Sequence, residues 1–134
     1  MNISFDYTLH RTKLPIISIM IENHEINFII DTGSTCSLID SNVIEYFKDI
    51  VKPVGEYYIN GIDGIKYKVD VVVVPLRIEE KIYEQNFCVK PLLEAFNDIE
   101  KECGIQVHGL VGTDFLLKNK CIIDFKEMNL NIGG

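Results

Sequence analysis

Side chains that branch at Cβ dominate this sequence, and alanine is almost missing from it. The 134 residues include 21 Ile, 11 Val and 5 Thr, but a single alanine, Ala95. β-Branched side chains lose rotamer freedom in helices and pack well on a pleated sheet, whereas alanine is the strongest helix former. We therefore predict a mainly β, closed-barrel fold with one or two short helices. A chain of this length is expected to form one domain, 1–134, with its own core.

The charge balance excludes several classes of partner. Lys and Arg number 13 against 20 Asp and Glu, a net charge of −7, and the cations are scattered. Binding to phosphate backbones or to anionic membrane surfaces depends on clustered cations, so we expect neither nucleic acid nor membrane as a partner. The longest early apolar stretch, 14–21, is too short to span a bilayer and lacks the flanks of a signal peptide.

The four cysteines follow no spacing that is typical of a metal or disulfide site. Zinc sites and disulfide frameworks usually show regular cysteine spacing, so we predict four reduced thiols, no metal and no cofactor. A cytoplasmic protein is the default interpretation of this pattern.

Apolar periodicity places the secondary structure along the chain. Strands are predicted at 2–9, 14–22, 26–30, 36–39, 55–60, 65–78 and 82–89, with a closing hairpin at 121–125 and 129–132. Two short helices are predicted, at 42–48 with Asn42 as N-cap and at 91–102 with Gly104 beyond its end, and one or two helical turns are predicted at 113–118.

Three segments carry the chemistry. In the first, an apolar strand ends at Asp31, followed by Thr32-Gly33-Ser34 and then a second apolar strand. An ordinary loop aspartate in an Asx-turn is the simplest interpretation. However, a polar turn between two apolar strands places an ionisable group against the core, which is where proton affinities are perturbed.

The second segment is a hairpin tip with two glycines, Gly61-Ile62-Asp63-Gly64, and the third is His108-Gly109-Leu110-Val111-Gly112 with a short helix after it. Alone, the tip is most simply a β-turn and the third segment a strand that turns into a helix. Glycines around two apolar residues also indicate close approach of two backbones.

In this order the three segments resemble a retropepsin-like aspartic protease, and the closing hairpin is similar to that of the bacterial and retrotransposon-type members. The resemblance spans roughly 14–132. It implies a peptidase in which two carboxylates share one water molecule. Because the chain has a single Asp-Thr-Gly, the second carboxylate is expected from the Asp31 of a second copy in a homodimer.

The resemblance also implies a role for each neighbour. Thr32 is expected to hydrogen-bond across the two-fold axis, Gly33 to leave room beside the carboxylates, and Ser34 to hydrogen-bond the Asp31 carboxylate. The flap, Gly61 to Gly64, would close over an extended peptide, with Ile62 covering the substrate and Asp63 at its tip. The loop that carries Asp31 is expected to be supported from beneath by three residues with a structural and not a catalytic role: Leu110, Val111 and Gly112.

Two alternatives remain at this stage. Cys103 and His108 are the residue types of a thiol nucleophile and its base, although no orienting Asn or Asp pattern accompanies them. The same fold without catalysis could serve as a peptide-binding or dimerisation module. The intact Asp31-Thr32-Gly33 favours the enzyme, because a binding module needs no pair of carboxylates. The helix-like 91–104 is an addition to the minimal pattern, and the sequence does not indicate a substrate preference.

Overall fold

The structure, a computed structural model, describes residues 1–133. In that range it contains ten strands and four short helices. The strands are β1 Asn2–Ser4, β2 Ile16–Ile21, β3 His24–Ile30, β4 Leu38–Asp40, β5 Lys52–Asn60, β6 Lys66–Ile78, β7 Lys81–Lys90, β8 Gly109–Val111, β9 Ile122–Asp124 and β10 Asn129–Asn131. The helices are α1 Asp6–Thr12, α2 Ser41–Tyr46, α3 Asn97–Cys103 and α4 Thr113–Lys118.

Six strands close into a barrel. The order is β2-β3-β8-β4-β7-β6, and a pairing of Met20 in β2 with Arg77 in β6 joins the two ends of this series. β6 shows why the sequence folds this way, because Val72, Val74, Leu76 and Ile78 alternate with more exposed residues and point into the core. The predicted mainly β, closed-barrel fold is confirmed.

A strand from late in the chain lies between two early ones. β8 pairs in parallel with β3, matching Ile30 with Val111, and antiparallel with β4, matching Leu38 with Leu110. β3 and β4 therefore meet through β8 and not directly. The segment that joins β3 to β4, residues 31–37, passes over the end of β8, and this topology positions the candidate site.

β5 and β6 form a long hairpin that extends beyond the barrel. Within residues 1–133, β5 pairs with β6 alone, from Lys52 with Val73 to Asn60 with Lys66. Nearly every residue of β5 is exposed, unlike the strands of the barrel. The predicted strands and glycine-containing tip are present. The closing hairpin is also present and forms a separate three-stranded sheet with β1.

The predicted strand 2–9 is wrong after Ser4, because residues 6–12 form α1. The buried Thr8 explains the change. Its hydroxyl lies 3.3 Å from the carbonyls of Phe5 and Ile16 and accepts the Ile16 N–H at 3.1 Å, so it ties the helix to the start of β2. Alternation of apolar residues at the surface does not reveal such a contact.

The predicted helices exist with different ends. α2 is capped by Asp40, whose buried carboxylate accepts the Asn42 N–H at 2.9 Å, so the cap is not Asn42. The predicted helix 91–102 is formed only from Asn97 onward, and Gly104, at φ +76°, ends it as expected. All four helices are six or seven residues long. Tertiary contacts hold such short helices, which explains why composition suggested fewer. None of the helices in residues 1–133 is long and apolar enough to cross a membrane.

Candidate active site

Asp31 lies at the end of β3, in a turn that its own carboxylate helps to form. Its backbone N–H donates to the Val111 carbonyl at 2.9 Å, which continues the β3–β8 pairing by one residue. The Gly33 N–H donates to Asp31 Oδ1 at 2.9 Å. A Cβ at position 33 would lie 3.2 Å from that same oxygen, tighter than most Cβ contacts. Glycine therefore lets the backbone approach the carboxylate.

Ser34 has a different contact from the expected one. Its hydroxyl donates to the Cys36 carbonyl at 2.6 Å and not to the Asp31 carboxylate. The bend at 35–36 brings that carbonyl back toward the serine, so the carbonyl oxygen accepts the hydrogen bond from the hydroxyl. Within one chain, Ser34 thus stabilises the loop after the turn. Thr32 is exposed at the top of the turn.

The end of β8 supports the loop from beneath. The Thr113 N–H donates to the Ser34 carbonyl at 2.8 Å. A Cβ on Gly112 would come within 2.5 Å of that same carbonyl, a contact that real side chains do not make. Leu110 and Val111 are buried beside it. The structure therefore brings the residues 110–112 and the Asp31 turn together.

Two positioning residues that sequence reasoning missed are Ser37 and Asp114. Ser37 is completely buried and donates its N–H and hydroxyl to the Asp114 carboxylate, and its hydroxyl oxygen accepts the Gly112 N–H at 3.0 Å. Gln85 Nε2 donates to Asp114 Oδ2 at 3.1 Å. One carboxylate thus joins the segment 31–37 (the active loop), the end of β8 and β7. The only signal in the sequence was a polar residue directly after Gly112-Thr113.

The tip of the β5–β6 hairpin is ordered by Asp63. Gly61 donates its N–H to the Ile65 carbonyl at 2.8 Å, and Gly64 has a φ of +80°, which favours glycine. Asp63 accepts the Ile65 N–H at 2.9 Å and the Tyr67 hydroxyl at 2.6 Å. The tyrosine hydrogen bond, with the backbone one, lowers the pKa of Asp63 below its usual value.

A groove of about 780 Å³ separates this hairpin from the active loop. Ile62, at the tip, is fully exposed in the single chain. The active loop forms one side of the groove, β5 forms the other, and β7 forms most of its base. The lining residues are Gly33 to Leu38, Val54 to Asn60, Val71, Asn86, Phe87, Cys88 and Asp114. The groove is open to solvent, and it lies beside the turn that holds Asp31, since Gly33 and Ser34 of that turn line it.

Cys103 and His108 are engaged in structural contacts. The Cys103 thiol donates to the Ile99 carbonyl at 3.2 Å, one turn back in α3. His108 Nδ1 accepts the Asn27 N–H at 3.0 Å, and burial lowers the pKa of the imidazole. To act as a nucleophile and its base, both groups would first have to break these hydrogen bonds. These contacts argue against the thiol alternative.

Comparison with known proteins identifies the family. Residues 17–115 match the sequence profile of a family described as aspartyl protease. Because the match covers well over half of the chain, the protein belongs to the aspartyl protease family. A search of curated proteins gave no match.

Solved structures with the same fold are retropepsin-like. The retropepsin-like aspartic protease from Rickettsia conorii shares 17% identity at a TM-score of 0.57, with 98% of this chain and 97% of that chain covered. The retroviral protease-like domain of Ddi1 from Leishmania major shares 15% identity at 0.58, with 89% of each chain covered. EIAV protease, complexed with the inhibitor HBY-793, shares 18% identity at 0.52, covering 80% of this chain and 88% of that one. At these identities the likeness establishes the retropepsin fold.

Proposed function

We propose that this protein is an aspartic endopeptidase whose active site forms from the Asp31 residues of two copies. The observation that carries the proposal is the Asp31 turn, held against β8 through its backbone N–H and shaped by the Gly33 N–H. Family membership supports peptide hydrolysis in general. The single Asp-Thr-Gly in the chain supports the need for a second copy.

The chemistry follows from two carboxylates at one site. Like charges a few ångströms apart cannot both ionise, so the pair holds one proton between them, as is established for aspartic proteases. The ionised carboxylate takes a proton from water, which attacks the peptide carbonyl carbon, while the protonated carboxyl gives its proton to the carbonyl oxygen. Collapse of the tetrahedral intermediate returns a proton to the leaving amine. No metal or cofactor takes part in this scheme.

The groove supports an extended peptide as the substrate. It is open and lined on one side by residues 54–60 of β5, which suits a chain without secondary structure, bound through backbone hydrogen bonds along that strand. The hairpin would close over that peptide and exclude water, with Ile62 at the tip making apolar contact. In a dimer, Ile62 and other exposed apolar side chains of the hairpin would be covered by substrate or by the second chain.

The peptide-binding module remains the second candidate. The open groove favours it as much as it favours the enzyme, because both functions need to hold an extended strand. The two differ at Asp31. A binding module gains nothing from a carboxylate in a glycine turn, whereas hydrolysis depends on it.

The test is a peptide-library cleavage assay at acidic and neutral pH, with and without a statine-type inhibitor. Asp31→Asn keeps the shape of the side chain but cannot exchange the proton, so we expect cleavage to be abolished with an unchanged circular dichroism spectrum. Asp49→Asn, at an exposed position away from the groove, is the matched control and should cleave normally. If wild-type protein binds peptides without cutting any, the module is the correct function. If Asp31→Asn cuts at the wild-type rate, Asp31 is not the catalytic group.

A further inference from the structure

Two cysteines of the four lie together in the wall of the groove. Cys36 is in the active loop, five residues after Asp31, and Cys88 is in β7; both line the groove. The backbone places them side by side, because Cys88 pairs with Leu38 and its N–H donates to the Ser37 carbonyl at 2.9 Å. Nothing in the proposed peptidase chemistry uses either thiol.

The surroundings of the two thiols differ. Cys88 is 4% exposed and lies in a strand that is paired on both sides, with Leu38 in β4 and with Val71 in β6. Burial first, and then the neighbouring Cys36 thiol, raise the pKa of Cys88 to about 12, so it stays protonated. Cys36 is partly exposed and lies in the bend before β4, outside any strand. The accessible thiol thus lies outside the paired strands that hold Cys88.

We propose that Cys36 and Cys88 form a reversible disulfide in response to hydroperoxides, and that this bond prevents peptides from binding and being cleaved in the groove. The effect on the groove rests on the proposed peptidase function, whereas the bond itself does not. Cys36 has solvent access and Cys88 is adjacent to it, which is the arrangement of an attacking and a resolving cysteine.

The chemistry balances in two steps. The Cys36 thiolate attacks a hydroperoxide oxygen and breaks the O–O bond, which leaves a sulfenic acid at Cys36 and an alcohol, or water when the oxidant is hydrogen peroxide. The Cys88 sulfur then attacks the Cys36 sulfur, the S–O bond breaks, and the oxygen leaves as water with the Cys88 proton. The two thiols lose two protons and two electrons, and the hydroperoxide gains them. A dithiol reductant reverses the bond by exchange.

Bond formation would displace the active loop. A disulfide requires sulfur atoms about 2.05 Å apart and a restricted Cβ geometry. Because Cys88 is fixed by its two neighbouring strands, Cys36 has to move toward β7. The Cys36 carbonyl, which holds the Ser34 hydroxyl, moves with it, and so the turn that carries Asp31 is disturbed. The bond would also cross the wall of the groove where substrate side chains lie.

Trypsin separates the four cysteines, which makes the bond directly measurable. Lys90 precedes Pro91 and is not cut, so each cysteine falls in its own peptide: Cys36 in 14–48, Cys88 in 82–101, Cys103 in 102–118 and Cys121 in 121–126. The experiment treats the reduced protein with hydrogen peroxide, blocks free thiols, and maps linked peptides by mass spectrometry before and after dithiothreitol. Cleavage rate and the circular dichroism spectrum are recorded on the same samples.

We expect peptides 14–48 and 82–101 to become linked, with a loss of two hydrogen atoms, while cleavage falls by about tenfold or more and returns with reductant. Cys36→Ser and Cys88→Ser should each prevent the link, and two variants keep the test valid if one of them folds poorly. Cys121→Ser is the matched control, since Cys121 is also partly buried but lies outside the groove. It should link and lose activity as the wild type does.

Three results would overturn the proposal: oxidation of Cys36 to sulfinic acid without a link, a link that involves Cys103 or Cys121 in its place, or a full link with unchanged cleavage. A reduced protein that never cleaves peptides contradicts the proposed function alone. In that case peptide mapping still decides whether the disulfide exists, and binding of the statine-type inhibitor before and after oxidation decides whether it closes the groove.

Discussion

Ser37 donates both its backbone N–H and its hydroxyl to the carboxylate of Asp114, at 3.0 and 2.7 Å. The two residues are 77 positions apart in the chain. Ser37 ends the active loop, and Asp114 lies in the first turn of α4, directly after β8. This pair of hydrogen bonds therefore sets the distance between the loop that carries Asp31 and the strand beneath it.

Removing the Asp114 carboxylate should destabilise the domain. Asp114→Ala leaves the buried Ser37 N–H and hydroxyl without their acceptor and removes one of the two hydrogen bonds that Gln85 Nε2 donates, and an unsatisfied buried donor costs roughly 1–3 kcal/mol. We expect the free energy of unfolding in urea to fall by about 2–4 kcal/mol. Asp114→Asn keeps one acceptor oxygen, so its free energy of unfolding should lie between those of Asp114→Ala and the wild type. The exposed Asp49→Ala is the control, and an equal loss in both alanine variants would refute the role of the pair.

The hydrogen bond from Tyr67 to Asp63 should control the acidity of the hairpin tip. Tyr67→Phe removes the main cause of the lowered pKa of Asp63, so the pKa should rise toward 3.8. Since the lowered pKa belongs to the folded tip, its stabilising contribution is present above 3.8 and is lost as pH falls through the lowered value. Carbon-detected NMR titration of the Asp63 carboxyl measures this shift. Tyr58→Phe, an exposed tyrosine of the same hairpin, should leave the Asp63 titration unchanged.

His108 should make the fold sensitive to acid. Burial lowers its pKa below 6.5, so the unfolded chain binds the proton more tightly than the folded one. The stability that this difference contributes is complete above 6.5 and is lost as pH falls through the lowered value. His108→Asn keeps an acceptor for the Asn27 N–H but cannot titrate there. We expect the free energy of unfolding between pH 7 and 5 to decrease less in this variant than in the wild type.

The exposed His24 provides the control for that measurement. His24→Asn should show the same pH dependence of unfolding as the wild type. If His108→Asn and His24→Asn give the same curve, the imidazole of His108 is not the group that links protonation to folding.

Assembly of the proposed dimer should weaken as pH rises. Two Asp31 carboxylates at one site repel each other when both are ionised, so the dimer takes up a proton that separate chains do not bind. With −7 per chain, −14 for two copies, general repulsion adds to this effect. Dissociation constants measured by analytical ultracentrifugation from pH 4 to 8 should increase less steeply for Asp31→Asn than for the wild type. Parallel curves would mean that Asp31 does not lie where two chains meet.

Much of the barrel could be predicted because its signals are local. Alternation in β6 and the glycines of the hairpin tip depend on neighbours in the chain. Helix α1 could not be predicted in the same way, since its position depends on how the buried Thr8 hydroxyl meets Ile16. The Ser37–Asp114 contact was also out of reach, because no local rule connects residues so far apart. At the candidate site, the sequence predicted the Asp31 turn and the buried residues 110–112 beneath it, but not the hydrogen bonds from Ser37 to Asp114.

The position of β8 between β3 and β4 has a consequence for synthesis on the ribosome. A nascent chain that has reached residue 108 already carries the Asp-Thr-Gly turn and the whole β5–β6 hairpin, but it lacks the strand that joins β3 to β4. The Asp31 N–H then has no Val111 carbonyl to bind, and the barrel is open along one seam. The proposed peptidase would therefore stay inactive until residues 109–111 have been synthesised and have paired with β3 and β4, and every fragment truncated before β8 should be inert however intact its Asp-Thr-Gly sequence is.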